Sequence, residues 1–181
     1  MMDGKPIYCI GYRDVLYKTK QPEDITGTSS LQWLILSHLA SIIYVNILEK
    51  GYLVAINEPE LHIDKGNNLS GDILMYKSGD LNASDFTIKN ADKPAFIQIE
   101  VNVTADFSND SEDNLYVQKK INKLIDFGTQ KIIWIFSASK QVLVVTNKEQ
   151  WNWYDWNTPV ALTEGYTFNI GAYLDSKSVV L

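Results

Sequence analysis

The sequence predicts an α/β (α+β) domain: a mixed β-sheet flanked by helices, with antiparallel strands towards its C-terminus. Three observations carry this prediction. Two long stretches, 31–50 and 114–127, repeat apolar residues at helical spacing. Short β-branched and aromatic runs of strand length lie between and after them, above all at 94–104 and 131–136. The resulting order of helix, strands, helix, strands requires a mixed sheet with helices packed on it.

The first helix is introduced by Gly27-Thr28-Ser29-Ser30, hydroxyl residues suited to an N-cap. Its apolar positions Leu31, Leu34, Ile35, Leu39, Ile42 and Ile43, with His38 among them, follow the helical period, and Gly51 supplies a stop. Upstream, Pro6, Tyr8, Tyr12 and Tyr17 mark an irregular lead-in that packs by its aromatics. Residues 52–63 read as a strand or bent ribbon that Pro59 kinks, because proline cannot donate to the ladder. A turn rich in Gly and Asn is expected at 64–70 and a strand at 71–76. The strand at 94–104 is followed by an acidic loop at 106–113 and a second helix closed by Gly128. Further strands are expected at 131–136, 141–146 and 151–156.

A chain of 181 residues suffices for one well-packed domain and is short for two. The expected division is a lead-in over 1–26 packed on a single domain over 27–181. No tract of about 18 apolar residues offers a membrane span. No apolar signal core follows the first residues, and the single cysteine, Cys9, excludes an internal disulfide and a cysteine-based zinc site. A cytoplasmic location is the expectation. The net charge of −6 argues against nucleic-acid binding over the whole surface, which needs positive potential, but leaves room for a local basic strip.

Side chains alternate across a strand. Ile97, Ile99, Val101 and Val103 therefore share one face of the 94–104 strand, and Phe96, Gln98, Glu100, Asn102 and Thr104 share the other. The polar row is either a solvent-exposed face or a buried row that needs partners, of which a metal ion is one. Asp72 stands at the start of the preceding strand, as a structural cap or as a second carboxylate. Two carboxylates and a backbone carbonyl suffice for Mg²⁺, which takes hard oxygen ligands and keeps several waters. On the second helix Val117, Ile121, Leu124 and Ile125 form the apolar stripe. Lys119 and Lys123 lie on the far side, while Lys120 and Asp113 flank the stripe. Lys120 is either a boundary lysine or one that buries its stem and offers its ammonium to a phosphate.

Glu58, Glu60 and His62 share a face if the ribbon keeps strand phase, and either glutamate could add a metal ligand. His62 and His38 read as structural. Two histidines and one cysteine give poor support to a zinc hydrolase or a Ser-His-Asp enzyme, and no phosphate-binding glycine loop is present. The run Trp151-Asn152-Trp153-Tyr154-Asp155-Trp156 favours packing or an oligomer interface over base stacking.

The motifs form a series: Ser29-Ser30-Leu31-Gln32, Asn57-Glu58, Leu61-His62, Ser70-Gly71-Asp72-Ile73, Ile99-Glu100-Val101, Lys120, Asp126-Phe127-Gly128, and Lys131-Ile132-Ile133-Trp134-Ile135-Phe136. Their order and spacing resemble the Uma-two family of bacterial restriction-endonuclease-like proteins, within the PD-(D/E)xK nuclease superfamily, over roughly residues 8–173. The resemblance implies a restriction-endonuclease-like core and hydrolysis of DNA phosphodiester bonds with Mg²⁺ or Mn²⁺. Asp72 matches the first acid, Glu100 the second and Glu58 an extra upstream acid. Gly71 replaces the usual proline, and Asn102 occupies the motif lysine's position, so Lys120 matches that role from the following helix. The implied metal ligands are Asp72, Glu100, the Val101 carbonyl and Glu58, with Gln98, Asn102 and Gln32 in support. Lys119, Lys123 and Lys131 are the basic residues expected near the site, and a homodimer is compatible with cutting both strands. The alternative is a nuclease-fold module, weak or inactive in catalysis, that binds nucleic acid or a protein partner.

Overall fold

The computed structural model describes residues 1–5, 12–21, 29–102 and 112–180. In chain order the helices are α1 (Tyr12–Leu16), α2 (Ser30–Asn46), α3 (Glu112–Phe127) and α4 (Ile170–Ser176). The strands are β1 (Tyr52–Ile56), β2 (Glu60–Asp64), β3 (Asn67–Ser70), β4 (Ile73–Lys77), β5 (Ile97–Asn102), β6 (Lys131–Phe136), β7 (Gln141–Asn147), β8 (Gln150–Asp155), β9 (Val160–Thr163) and β10 (Tyr166–Phe168).

Six strands form the main sheet in the order β1-β4-β5-β6-β7-β8. Neighbours are antiparallel except β5 and β6. That parallel pair follows from the connection: β5 returns to β6 through α3, and parallel neighbours need such a crossover. The sheet is therefore mixed and flanked by helices, as the sequence predicts. Two small ribbons, β2–β3 and β9–β10, stand outside it.

Each face of the sheet has its own core. Ile35, Leu39 and Ile43 of α2 pack on Ile73, Met75, Ile97, Ile99, Ile133 and Ile135, with α4 and the β9–β10 ribbon completing that layer. Val117, Ile121 and Leu124 of α3 pack on Leu74, Ile132, Trp134, Phe136, Leu143 and Val145 of the opposite face, beside Leu61 and Leu69 of the β2–β3 ribbon. Among the described residues no helix is long and apolar enough to cross a membrane.

The N-cap of α2 is Ser29, whose side chain accepts the Gln32 N–H at 3.1 Å. A short 3₁₀ turn follows α2 and ends at Gly51, whose φ of 85° needs glycine's freedom. Several expectations change. The turn foreseen at 64–70 holds strand β3, which pairs with β2 around Lys65-Gly66. Its residues, Asn67-Asn68-Leu69-Ser70, are too few and too polar to show a strand period. Residues 52–63 are two strands, because Asn57 (φ 74°) and Glu58 (φ 54°) break the phase just before Pro59. The short elements β9, β10 and α4 went unforeseen. In the lead-in, Tyr17 is 77% exposed and does not pack, while Pro6, Tyr8 and the Tyr12 side chain lie outside the described residues. So do Val103, Thr104 and the acidic loop up to 111, and α3 already begins at Glu112.

Candidate active site

The ends of β4 and β5 bring the two expected acids together. The register pairs Ile73 with Ile99, so Asp72 meets the next position of β5. Its N–H donates to the Ile99 carbonyl at 3.1 Å, and its Oδ2 accepts the Val101 N–H at 2.7 Å. Asp72 thus closes the β4–β5 ladder and is also fixed by it.

The polar row of β5 is buried. Strand β5 lies between β4 and β6, and α3 crosses the face that carries Gln98 and Glu100, which are 0% and 8% exposed. The solvent-facing reading is overturned at Gln98 and Glu100: buried polar groups must find partners, and apart from Gln98 Oε1 these two do. Glu100 Oε1 accepts from Gln98 Nε2 at 2.6 Å and pairs with Lys120 Nζ at 2.9 Å. Gln98 Nε2 also donates to the Ser70 carbonyl at 3.2 Å. Lys120 is 4% exposed and belongs to the buried face of α3, not to its boundary.

Glycine at residue 71 has a steric reason. A Cβ at Gly71 would lie 2.8 Å from Gln98 Nε2. Glycine there lets Gln98 lie against the chain and reach both Ser70 and Glu100.

Two residues that sequence reasoning missed complete the surroundings of Lys120. Its ammonium lies 5.4 Å from the Trp134 ring centre and 5.9 Å from that of Tyr116. Tyr116 stands four residues before Lys120 on the same helix, a legible spacing. Trp134 arrives through the β5–β6 register, where it pairs with Glu100, and no local pattern announces that.

The charges are strongly coupled. Burial pushes the Asp72 carboxyl up to about 6, with the Glu100 charge adding to it and Glu58 contributing less; the Val101 N–H and the Lys120 ammonium oppose the rise. Burial pulls Lys120 down, but Glu100 and Tyr116 outweigh it and hold the ammonium above its ordinary value.

The donor set fits a hard divalent cation. Among the described residues one oxygen of each carboxylate is engaged, Asp72 Oδ2 and Glu100 Oε1, which leaves Asp72 Oδ1 and Glu100 Oε2 for an ion. Gln98 Oε1 is buried with no partner among the described residues. The repulsion that raises Asp72 is of the kind a bound cation relieves. Among the described residues no three His, Cys, Asp or Glu side chains enclose an ion. An ion held here would therefore keep waters, which suits Mg²⁺ or Mn²⁺ better than a closed zinc site.

The remaining candidates divide. Glu58 is exposed on the strained turn after β1, and Asp72 feels its charge. Asn102 accepts the Ser137 N–H on its carbonyl at 3.0 Å, next to the site on β5. Gln32 lies on α2, against the other face of the sheet, and among the described residues takes no part in the site's hydrogen bonds. Glu60 bonds Asn90 and His62 bonds Asn68, within the β2–β3 ribbon and its neighbouring loop. His38 stacks on Tyr173 at 3.8 Å between ring centres, in the α2–α4 layer. Lys131 is removed from the basic set: it sits at the far end of β6 and donates to the Ala161 and Leu162 carbonyls. Lys123 pairs with Asp3, and Lys119 is exposed. The Asp113 side chain lies outside the described residues. The tryptophan run packs in part: Trp156 is buried and Trp153 tilts against Phe136 but stays 43% exposed on edge strand β8.

Among solved structures the chain is similar to the crystal structure of "a putative nuclease belonging to DUF820" from Anabaena variabilis ATCC 29413, with a TM-score of 0.65 and 16% identity. The match covers 83% of each chain. The likeness shows the fold. No family model and no curated protein matches the chain.

Proposed function

We propose that this chain is a metal-dependent endonuclease of the PD-(D/E)xK type, hydrolysing phosphodiester bonds of DNA. One observation carries the reading: two carboxylates from neighbouring strand ends and a helix-borne lysine are buried side by side, Glu100 bonded to Gln98 and Lys120, and Asp72 to the Val101 N–H. Burial of three charged groups costs stability that a merely structural role would not require, and perturbed titratable groups of this kind gather at functional sites.

In this reading Asp72, Glu100 and the Val101 carbonyl would hold Mg²⁺ or Mn²⁺, and Glu58 would assist through water. When bound, the ion polarises a phosphoryl oxygen and lowers the pKa of a coordinated water. The chain's own residues do the rest. Val101 N–H and Gln98 hold the two carboxylates in place, so the site needs little reorganisation. Gln98 Oε1 is a buried acceptor that can orient the attacking water. Lys120, kept protonated by Glu100 and Tyr116, stabilises the negative charge that develops on the phosphate. It takes the role that the lysine two residues past the second acid would have, where this chain carries Asn102.

The test is cleavage of supercoiled plasmid with Mg²⁺ or Mn²⁺, comparing wild type with Lys120→Met. Wild-type nicking that falls about 100-fold or more in the variant is expected. Absence of cleavage by the wild type with either metal removes the enzymatic reading and leaves a binding module on this fold.

A further inference from the structure

Outside the site, the charges of the chain are unevenly placed. Residues 1–4 run beside β3: the Asn68 N–H donates to the Met1 carbonyl at 2.8 Å, and the Gly4 N–H to the Gly66 carbonyl at 2.9 Å. Asp3 N–H adds a bond to Asn67 Oδ1 at 2.7 Å. The turn at Asp3-Gly4 therefore packs on the turn at Lys65-Gly66. The contact is close, since a Cβ on Gly66 would lie 3.2 Å from the Gly4 nitrogen. Each of these touching glycines has a lysine as its chain neighbour, Lys5 and Lys65, and both lysines are exposed.

Helix α3 contributes from the other side. Lys123 pairs with Asp3 at 2.7 Å. Its hydrogen bond holds the Asp3 carboxyl below its usual value, and the charges of Lys119 and Lys5 act in the same direction. Lys123 thus contacts this carboxylate, with Lys119 on the same helix and Lys5 two residues along the chain. With Lys65 the cluster has four lysines against Asp3 and Asp64, an excess of two positive charges (four minus two) on a chain whose net charge is −6.

We infer that Lys5, Lys65, Lys119 and Lys123 form the surface that carries the phosphodiester backbone of a nucleic acid into the site, an inference that rests on the nuclease reading above. The placement suits this. Lys119 and Lys123 flank Lys120 on α3, and β3 leads from Lys65 to Asp72. Over seven residues at about 3.3 Å each that path is at most about 23 Å, within reach of on the order of ten charges of a duplex carrying one per about 1.7 Å. Flexible lysines acting as point charges contact phosphates without reading sequence. Lys5 and Lys65 are distant from α3 in sequence, and only the turn-on-turn contact brings them beside it.

The test is fluorescence anisotropy of a short fluorescein-labelled DNA duplex in EDTA at several NaCl concentrations, with Mg²⁺-dependent cleavage measured in parallel. Wild type is compared with the triple variant Lys5→Gln, Lys65→Gln, Lys119→Gln, and with a control triple Lys50→Gln, Lys77→Gln, Lys177→Gln on other elements. The first triple is expected to weaken binding about tenfold or more and to reduce the slope of log K against log salt by about 2 to 3, while the control keeps the wild-type slope. Cleavage and binding unchanged in the first triple overturn the surface and leave the nuclease. Binding that depends on the lysines without any cleavage supports the surface and removes the nuclease. A wild type that neither binds nor cleaves overturns both.

Discussion

The two faces of β5 are built on opposite terms. Towards α2, Ile97, Ile99 and Val101 lie in a layer of aliphatic side chains. Towards α3, one residue away in each case, Gln98 and Glu100 are buried with Lys120. The first face gains stability from the area it removes from water. The second buries charges, which lowers stability unless every one is paired. The same strand therefore holds the fold together on one side and holds buried charged groups in place on the other, separated by the thickness of a single backbone.

Substitutions on the two faces should separate these roles. The largest effect is expected from Lys120→Ala. It leaves Glu100 buried without its cation and should cost about 3–5 kcal/mol of stability by denaturant unfolding. Loss of less than about 1 kcal/mol would mean that the Lys120–Glu100 pair is solvated in solution. On the apolar face, Ile99→Ala should cost about 2–4 kcal/mol through the cavity it opens, with metal affinity unchanged. A coupled loss of metal binding would show that the two faces are not independent.

Asp72→Asn should go the other way. Asp72 titrates at about 6 in the fold against 3.8 unfolded, so the folded state binds its proton more tightly. Its contribution is most favourable below 3.8 and is lost as pH rises through about 6, a change on the order of 3 kcal/mol. The Asp72→Asn variant lacks this loss and can still accept from the Val101 N–H. Without metal it should be more stable than wild type at pH 8, and the difference should vanish towards pH 3.5. A variant whose stability relative to wild type is the same at both pH values would contradict the burial of the Asp72 charge, next to that of Glu100. The smallest effect lies far from both faces: Ser29→Ala removes the α2 cap and should cost about 1 kcal/mol, read as a small drop in thermal midpoint.

The apolar face was the more legible of the two in the sequence. Isoleucines at alternate positions of β5 and the stripe of α2 point directly to a core, and β6 falls at residues 131–136 as its continuous apolar run predicts. Asp72 and Glu100 stood out because a carboxylate at a strand start and another within a strand break the apolar pattern. Burial of the polar row was not legible. It depends on α3 crossing over Gln98 and Glu100, a long-range event that alternation along one strand cannot report. For the same reason Lys131 seemed to belong to the site: its place in sequence is close to α3, but the parallel register puts it opposite Ile97, three residues from the Glu100 position. The β3 strand was missed because its pairing with β2 is set by a turn at Lys65-Gly66 and not by any hydrophobic period.

The most direct test of the central claim is calorimetric titration of Mg²⁺ and Mn²⁺ into wild type, Asp72→Ala and Glu100→Ala at pH 8, well above the value of about 6 to which the Asp72 carboxyl is pushed. Binding by the wild type that is lost in both variants is the predicted result. Wild-type affinity retained in either variant, or no binding by the wild type in the presence of a DNA duplex, would contradict the assignment of these two carboxylates as the metal-holding pair.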